Sequence, residues 1–343
     1  MSNPWVSVVM SVYNGAADAP KAIRSILDQT FGDFELIAID NGSFKDDTRA
    51  VLESIAQKEQ DARLRIVTLD QNIGLAGALN HGIALARGRY IARQDHDDLS
   101  LPDRLARQVA YMDSHPGCGL LGTRAEIWIG DQPTGRAHDH PLDNATLQLA
   151  LLFNNPFVHS SVMIRRSALD LVGDYTTDLA RQPPEDYELW SRIARRFEVA
   201  NLPERLLVYR EMPNSMSRNG PNPFLDRLLL LASENIAFWN GLAAPDAACR
   251  DAAALSVTAY DRLSPGADIH TICARVEQAI DAIDASGSPP TAAADRAQAL
   301  ANLRHHYGLA RKLPNWSRPF IKLGRKIPLS TSLRKYVKNW LTR

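Results

Sequence analysis

Within the first hundred residues, four short β-branched runs alternate with segments of helical periodicity. No other feature restricts the fold as tightly. Val6 to Val12 (VSVVMSV) is too short for a helix and apolar on both faces, as a buried parallel strand must be. Phe34 to Ile39, Leu64 to Leu69 and Tyr90 to Arg93 repeat that character. Between them, Asp18 to Thr30, Asp47 to Lys58 and Leu75 to Arg87 carry apolar residues at helical spacing, with Pro20 in a first turn and acids at the caps. The alternation predicts a doubly wound parallel sheet, with a ligand crevice beyond the carboxyl ends of its strands.

Polar residues gather at those ends: Tyr13 and Asn14, Asp40 and Asn41, Asn72 before Gly74, and Asp95-His96-Asp97-Asp98. Three acids within four residues repel one another unless a cation or hydrogen-bond donors lie among them. A solvated acidic turn that caps the next helix is the alternative. No G-x-G-x-x-G follows the first strand and no G-x-x-x-x-G-K-[ST] occurs, which excludes the two common phosphate loops. A nucleoside diphosphate bound here would therefore need a metal on the carboxylates to offset its charge. Tyr13 presents a flat ring suited to a nucleobase, or simply to packing. Arg93 could reach a diphosphate or neutralise the acids beside it.

Lys plus Arg equals Asp plus Glu, 39 each, so bulk charge points to no nucleic-acid partner. Cys118, Cys249 and Cys273 have neither disulfide-framework nor zinc-site spacing and fit a reducing compartment. No signal peptide and no apolar stretch near the ~20 residues of a membrane span is evident, so a cytoplasmic location is expected.

The segments SVVMSVYNG, FELIAIDNGS, NIGLAGALNHGIALARGRYIARQDHDD and PPEDYELWSR stand in the order and spacing of family 2 glycosyltransferases, which the chain resembles over Val6 to Ser217. The resemblance implies a GT-A fold, a doubly wound mixed sheet with a nucleotide-binding half at 1–100 and an acceptor-binding half at 101–220. It further implies inverting transfer of one sugar from a nucleotide-sugar donor to a glycan or lipid-linked acceptor, in building bacterial surface polysaccharide. Asp97 and Asp95 match the D-x-D that holds Mg²⁺ or Mn²⁺ and the ribose. Asp98 could share that work or cap the next helix. Asp186, with Glu185 beside it, matches the general base, and His159 lies where the family carries a His near the acceptor. The alternative for Asp186 is an acidic cap on the helix dipole.

Three departures stand out. Ser11 replaces the usual Pro. Asp40-Asn41 replaces a pair of acids, so the base is open, with UDP the default and dTDP or GDP alternatives. Met212 lies at or beside a customary His, and a thioether is a poor ligand for a hard cation. The Q-x-x-R-W of processive members is missing.

From 221 to 310 the chain reads as Ala- and Leu-rich helices: Phe224 to Trp239, Asp246 to Leu263, His270 to Ala285 and Ala292 to Leu309. Residues 311–343 hold ten Lys and Arg, no acid and interleaved aromatics, suggesting peripheral attachment to an anionic membrane face or else a solvated basic tail. Two other functions compete: a nucleotidyltransferase, which would normally show a basic Gly-rich loop after the first strand, and a non-catalytic carbohydrate-binding protein, which need not keep Asp95, Asp97 and Asp186.

Overall fold

A computed structural model describes residues 3–211, 223–286 and 290–312. The chain forms two compact units that divide between Met212 and Pro213. The readings of Met212 and of 313–343 fall outside the described residues.

In the first unit the elements run β1 (Val6–Val12), α1 (Ala19–Leu27), β2 (Phe34–Asn41), α2 (Thr48–Glu59), β3 (Leu64–Leu69), α3 (Gly74–Leu85), β4 (Tyr90–Asp95), β5 (Leu99–Ser100) and α4 (Arg104–Ser114). They continue as β6 (Cys118–Ile129), β7 (Gln132–His138), α5 (Asn144–Leu151), β8 (Met163–Arg165), α6 (Arg166–Val172), α7 (Glu185–Ala194) and β9 (Glu198–Glu211). A single 3-10 turn, His159–Ser161, precedes β8.

The sheet order is β3-β2-β1-β4-β8-β6-β9-β5, with β7 beside β6. The first four strands are parallel, as the alternation requires. β8 then reverses the direction against β4 and β6, so the sheet is mixed. Every residue of β1 and β2 is buried, which explains why neither shows the two-residue alternation of a half-exposed strand. Val6, Val8, Met10 and Val12 face α1 and α4 in the main core. On the other face α3 packs so closely that a β-carbon on Gly82 would lie 2.5 Å from Val9 Cγ1 and 2.8 Å from Ile39 Cδ1. The small residues of that helix exist for this approach.

Gly88 is constrained harder. A β-carbon there would overlap the Ser7 amide nitrogen, and backbone cannot move aside as a side-chain tip can. Gly88→Ala is expected to cost about 1–3 kcal/mol, seen as a lower urea midpoint at unchanged slope. An unchanged midpoint would show that the turn into β4 has slack.

Several expectations are corrected. Asp18, Asp47 and Asp103 stand at N-caps but none makes a side-chain cap bond. The Asp18 carboxylate accepts from Arg210 Nη1 at 2.7 Å instead.

The second unit comprises α8 (Leu225–Trp239), α9 (Ala247–Ser256), α10 (Ile269–Ala285) and α11 (Ala293–Lys312). The expected helix over Asp246 to Leu263 stops at Ser256, because Thr258 takes φ +58° and ends the run. Among the described residues no helix is long and apolar enough to cross a membrane.

Candidate active site

Strand register sets the acids. Ser11 on β1 pairs with Asp95 on β4, and Val12 pairs with Asp40 on β2, so three strand ends open on one edge. Arg93 and Asp95, two apart on β4, share a face, and Arg93 Nη2 donates to Asp95 Oδ1 at 2.5 Å. Ser160, from the 3-10 turn, accepts the Asp95 N–H at 2.7 Å. Beneath them the fully buried Arg104 donates to Gln94 Oε1, the Ser160 carbonyl and the Arg93 carbonyl, which clamps the end of β4.

The three acids then take different roles. Burial alone would raise the Asp95 carboxyl, but the Arg93 guanidinium holds it below the usual carboxylate range. Asp97 is held above that range by burial and then by Asp95. Asp98 is not a helix cap. It is 1% exposed, accepts the Arg210 N–H on Oδ1 at 2.8 Å and, among the described residues, keeps Oδ2 buried with no close hydrogen-bond partner. Burial and its two acidic neighbours push it well up. Among the described residues no set of three or more His, Cys, Asp or Glu side chains is arranged to hold a metal by itself. The crowding of Asp95, Asp97 and the orphaned Asp98 oxygen nevertheless fits a hard cation whose shell is completed by diphosphate oxygens and water.

At the ends of β1 and β2, Tyr13 is half-buried with Phe44 at 6.2 Å between ring centroids, and Phe44 is 72% exposed. Asn14, at φ +51°, accepts the Phe44 and Lys45 N–H groups and so ties that loop to β1. Asp40 is fully buried, taking the Ser43 N–H on Oδ1 and Arg49 Nε on Oδ2. Asn41 is 2% exposed: its oxygen accepts the Ile73 N–H, and its amide donates to the Gly74 carbonyl and Asn72 Oδ1. Asn72 in turn accepts the Gly74 N–H. Asp40, Asn41, Asn72 and Gly74 therefore build the loops of this end, and in this arrangement neither Asp40 nor Asn41 presents a free acceptor at the surface.

Across the site, α7 begins with Glu185 and Asp186, and its N-cap is Pro184 rather than either acid. Asn155 Nδ2 donates to Asp186 Oδ2 at 2.7 Å. Burial, and then Glu185, raise the Asp186 carboxyl to about 7, and burial raises Glu185 as well. His159 Nε2 meets the Tyr175 hydroxyl at 2.9 Å, and both rings pack on Trp190. Burial, then Arg93, push His159 down to about 3, so it is a neutral imidazole.

Arg93 is the hub. It is 2% exposed, its Nε and Nη1 have no partner among the described residues, and its charge is felt at Asp95, His159, Tyr175, Glu185 and Asp186. The fold thus gathers the expected residues of β4, the 3-10 turn and α7. Tyr13 and Asn14 stand apart, linked through Gly15, which packs on His96. Sequence reading passed over Asn155, Ser160, Tyr175, Arg104 and Arg210. Each acts through bonds to residues distant in the chain, which no local pattern announces.

A parallel half-sheet ending in acids, continued by a mixed half beside which α7 brings a second pair of acids, defines a GT-A-type glycosyltransferase architecture. Residues 7–173 match the family model described as glycosyl transferase family 2. The amylovoran biosynthesis glycosyltransferase AmsE of Erwinia amylovora is 33% identical over 207 residues, covering 60% of this chain and 75% of that protein. The chain belongs to glycosyltransferase family 2 and is a glycosyltransferase. Among solved structures, S. aureus TarS in complex with UDP-GlcNAc superposes with TM-score 0.57 at 18% identity, over 90% of this chain and 91% of that one. A Pyrobaculum calidifontis mannosyltransferase in complex with GDP-Man and Mn²⁺ gives TM-score 0.53 at 16% identity, over 90% and 88%. Both support the fold.

Proposed function

We propose that this enzyme transfers one sugar, with inversion, from a nucleoside-diphosphate sugar to a glycan or lipid-linked acceptor in surface-polysaccharide assembly. The observation that carries the proposal is the pairing of two acid sites about Arg93: a crowded one on β4, and Asp186 with its proton affinity raised to about 7.

Displacement at the anomeric carbon requires a proton acceptor for the attacking hydroxyl and stabilisation of charge on the departing diphosphate. Asp186 is the acceptor, poised near neutrality, with Asn155 fixing its carboxylate and Glu185 keeping its proton affinity high. Asp97 and Asp95 would hold Mg²⁺ or Mn²⁺, which as a Lewis acid offsets the diphosphate charge. The unpartnered Nε and Nη1 of Arg93 suit an anionic or hydroxyl oxygen of the donor, since buried donors left unmade are costly. Tyr13 and Phe44 offer faces for the base, with Ser11 and Asn14 shaping the floor. UDP is the expected nucleotide, in keeping with the ligand of TarS, with dTDP or GDP, the latter the nucleotide of the Pyrobaculum complex, as alternatives. The role of AmsE in amylovoran biosynthesis supports a polysaccharide product. The basic 311–343 segment is assigned to an anionic membrane face.

The purified chain is expected to release nucleotide slowly from one member of a UDP- and GDP-sugar panel when Mn²⁺ or Mg²⁺ is present. EDTA should abolish that release and added metal restore it. Release that persists undiminished in EDTA would remove the metal from the mechanism.

A further inference from the structure

The ribbon β7-β6-β9 carries an aromatic face that the proposed chemistry does not use. His138 pairs with Ala125, and Ala125 with Leu207, so these side chains share one face of the sheet. Tyr209, two residues past Leu207, returns to the same face. It packs on the small cluster of Ala125, Val158 and Leu207. The Tyr209 and His138 rings meet edge-on at 5.1 Å and 83°, and His138 stacks with His140 at 5.5 Å and 17°. All three rings are half-buried, so each keeps part of its surface in solvent.

Both ends of this shelf are tied to the acids. Arg210, next to Tyr209, gives its N–H to Asp98 and its Nη1 to the Asp97 carbonyl at 3.3 Å. Pro141, next to His140, accepts from Asn201 Nδ2, which also donates to the Pro156 carbonyl. The residue before Pro156 is Asn155, the partner of Asp186. The shelf's two ends are therefore anchored, through Arg210, to the turn that would hold the leaving group and, through Asn201 and the Pro156 carbonyl, to the segment whose Asn155 holds the base. Its rim charges are already paired: Arg205 with Asp139 at 2.7 Å, and Arg136 with Glu211 at 2.5 Å. Burial lowers the proton affinity of both imidazoles. A neutral aromatic floor with polar ring nitrogens and satisfied rim charges matches a ring that has C–H faces and a hydroxyl edge. It does not match a phosphate or a peptide carboxylate.

We infer that His138, His140 and Tyr209 seat a pyranose ring of the acceptor glycan, stacking on its face while the imidazole nitrogens bond its hydroxyls. The inference rests on the glycosyl-transfer reading. Its test needs no turnover, so it stands or falls apart from the roles given to Asp186 and the metal.

In the full chain carrying ¹³C,¹⁵N-labelled histidine, the imidazole resonances are followed by NMR. The titrants are methyl glycosides of glucose, galactose, mannose and N-acetylglucosamine, added with UDP and Mg²⁺ present. At least one glycoside should shift the His138 and His140 signals saturably. The His138→Ala/His140→Ala variant, followed by tryptophan fluorescence, should bind that glycoside about tenfold more weakly, whereas His138→Phe/His140→Phe, which keeps the aromatic faces, should stay within about threefold. Circular dichroism establishes that both variants are folded. The inference is overturned if no glycoside in the panel moves either signal, or if the alanine variant binds as tightly as the parent. It is also overturned if the matching UDP-sugar displaces the glycoside while UDP does not, because the shelf would then hold the donor's sugar.

Discussion

Asp97→Ala is expected to abolish metal-dependent transfer and, with it, the thermal stabilisation that Mn²⁺ with UDP should give the parent enzyme. A ligand at 100 times its Kd stabilises by about 2.7 kcal/mol, which in a domain of this size is a rise of several degrees in Tm. That rise should vanish in the variant. The apo variant should not be less stable than the parent. The Asp97 carboxyl is held above its ordinary range by burial and by Asp95, so the folded state keeps its proton where the unfolded chain has already lost it. The stability this contributes is complete below the unfolded pKa of about 3.9 and is lost as pH rises through the raised folded value. At pH 8 alanine removes that penalty together with one of three crowded charges. A Mn²⁺- and UDP-dependent rise in Tm surviving in Asp97→Ala would take the metal site away from Asp97.

The parallel half of the fold was legible because its strands are short, mostly apolar runs that end abruptly at turn residues, whether fully buried like β1 and β2 or at the partly exposed sheet edge like β3. Val6–Val12 and Leu64–Leu69 could be bounded from composition and turn residues alone. β6 and β9 were not, because they are long and cross from the core to an exposed ribbon, and their pairing shifts register near Thr123 and Arg124. A period of two does not survive such shifts. In the site, the Arg93–Asp95 contact was legible, since alternate residues of one strand share a face. The different environments of Asp95, Asp97 and Asp98 were not. Asp98 is fixed by Arg210, 112 residues away, and Asp186 by Asn155, 31 away. Asp40 and Asn41 show the limit from the other side. Asn and Asp at strand ends are drawn there by ligands and by turns alike, and only coordinates distinguish a side chain facing a crevice from one holding Ser43 or Ile73.

Asp186→Asn should lower kcat by about 10²–10⁴ while leaving nucleotide affinity nearly unchanged, because the residue lies on α7, away from the strand ends where the diphosphate would bind. The pH profile makes the assignment specific. A base must be deprotonated to work. With the folded carboxyl raised to about 7, kcat/KM of the parent should climb with pH and level off above that value, whereas the residual rate of the variant should lack this limb. Stability runs the opposite way. An unfolded aspartate titrates near 3.9, so the folded protein retains a proton through the interval from about 4 to 7 that the unfolded chain has given up. Stability from this group is complete below about 4 and is lost as pH rises to about 7. The asparagine variant, whose amide can turn to accept from Asn155 or donate to it, should match the parent near pH 4 and exceed it at pH 8. A variant that is inactive yet more stable than the parent at pH 8 is the signature of a carboxylate kept buried for its proton affinity. Wild-type turnover in Asp186→Asn would instead make this acid only a residue of the first turn of α7, one that complements the helix dipole.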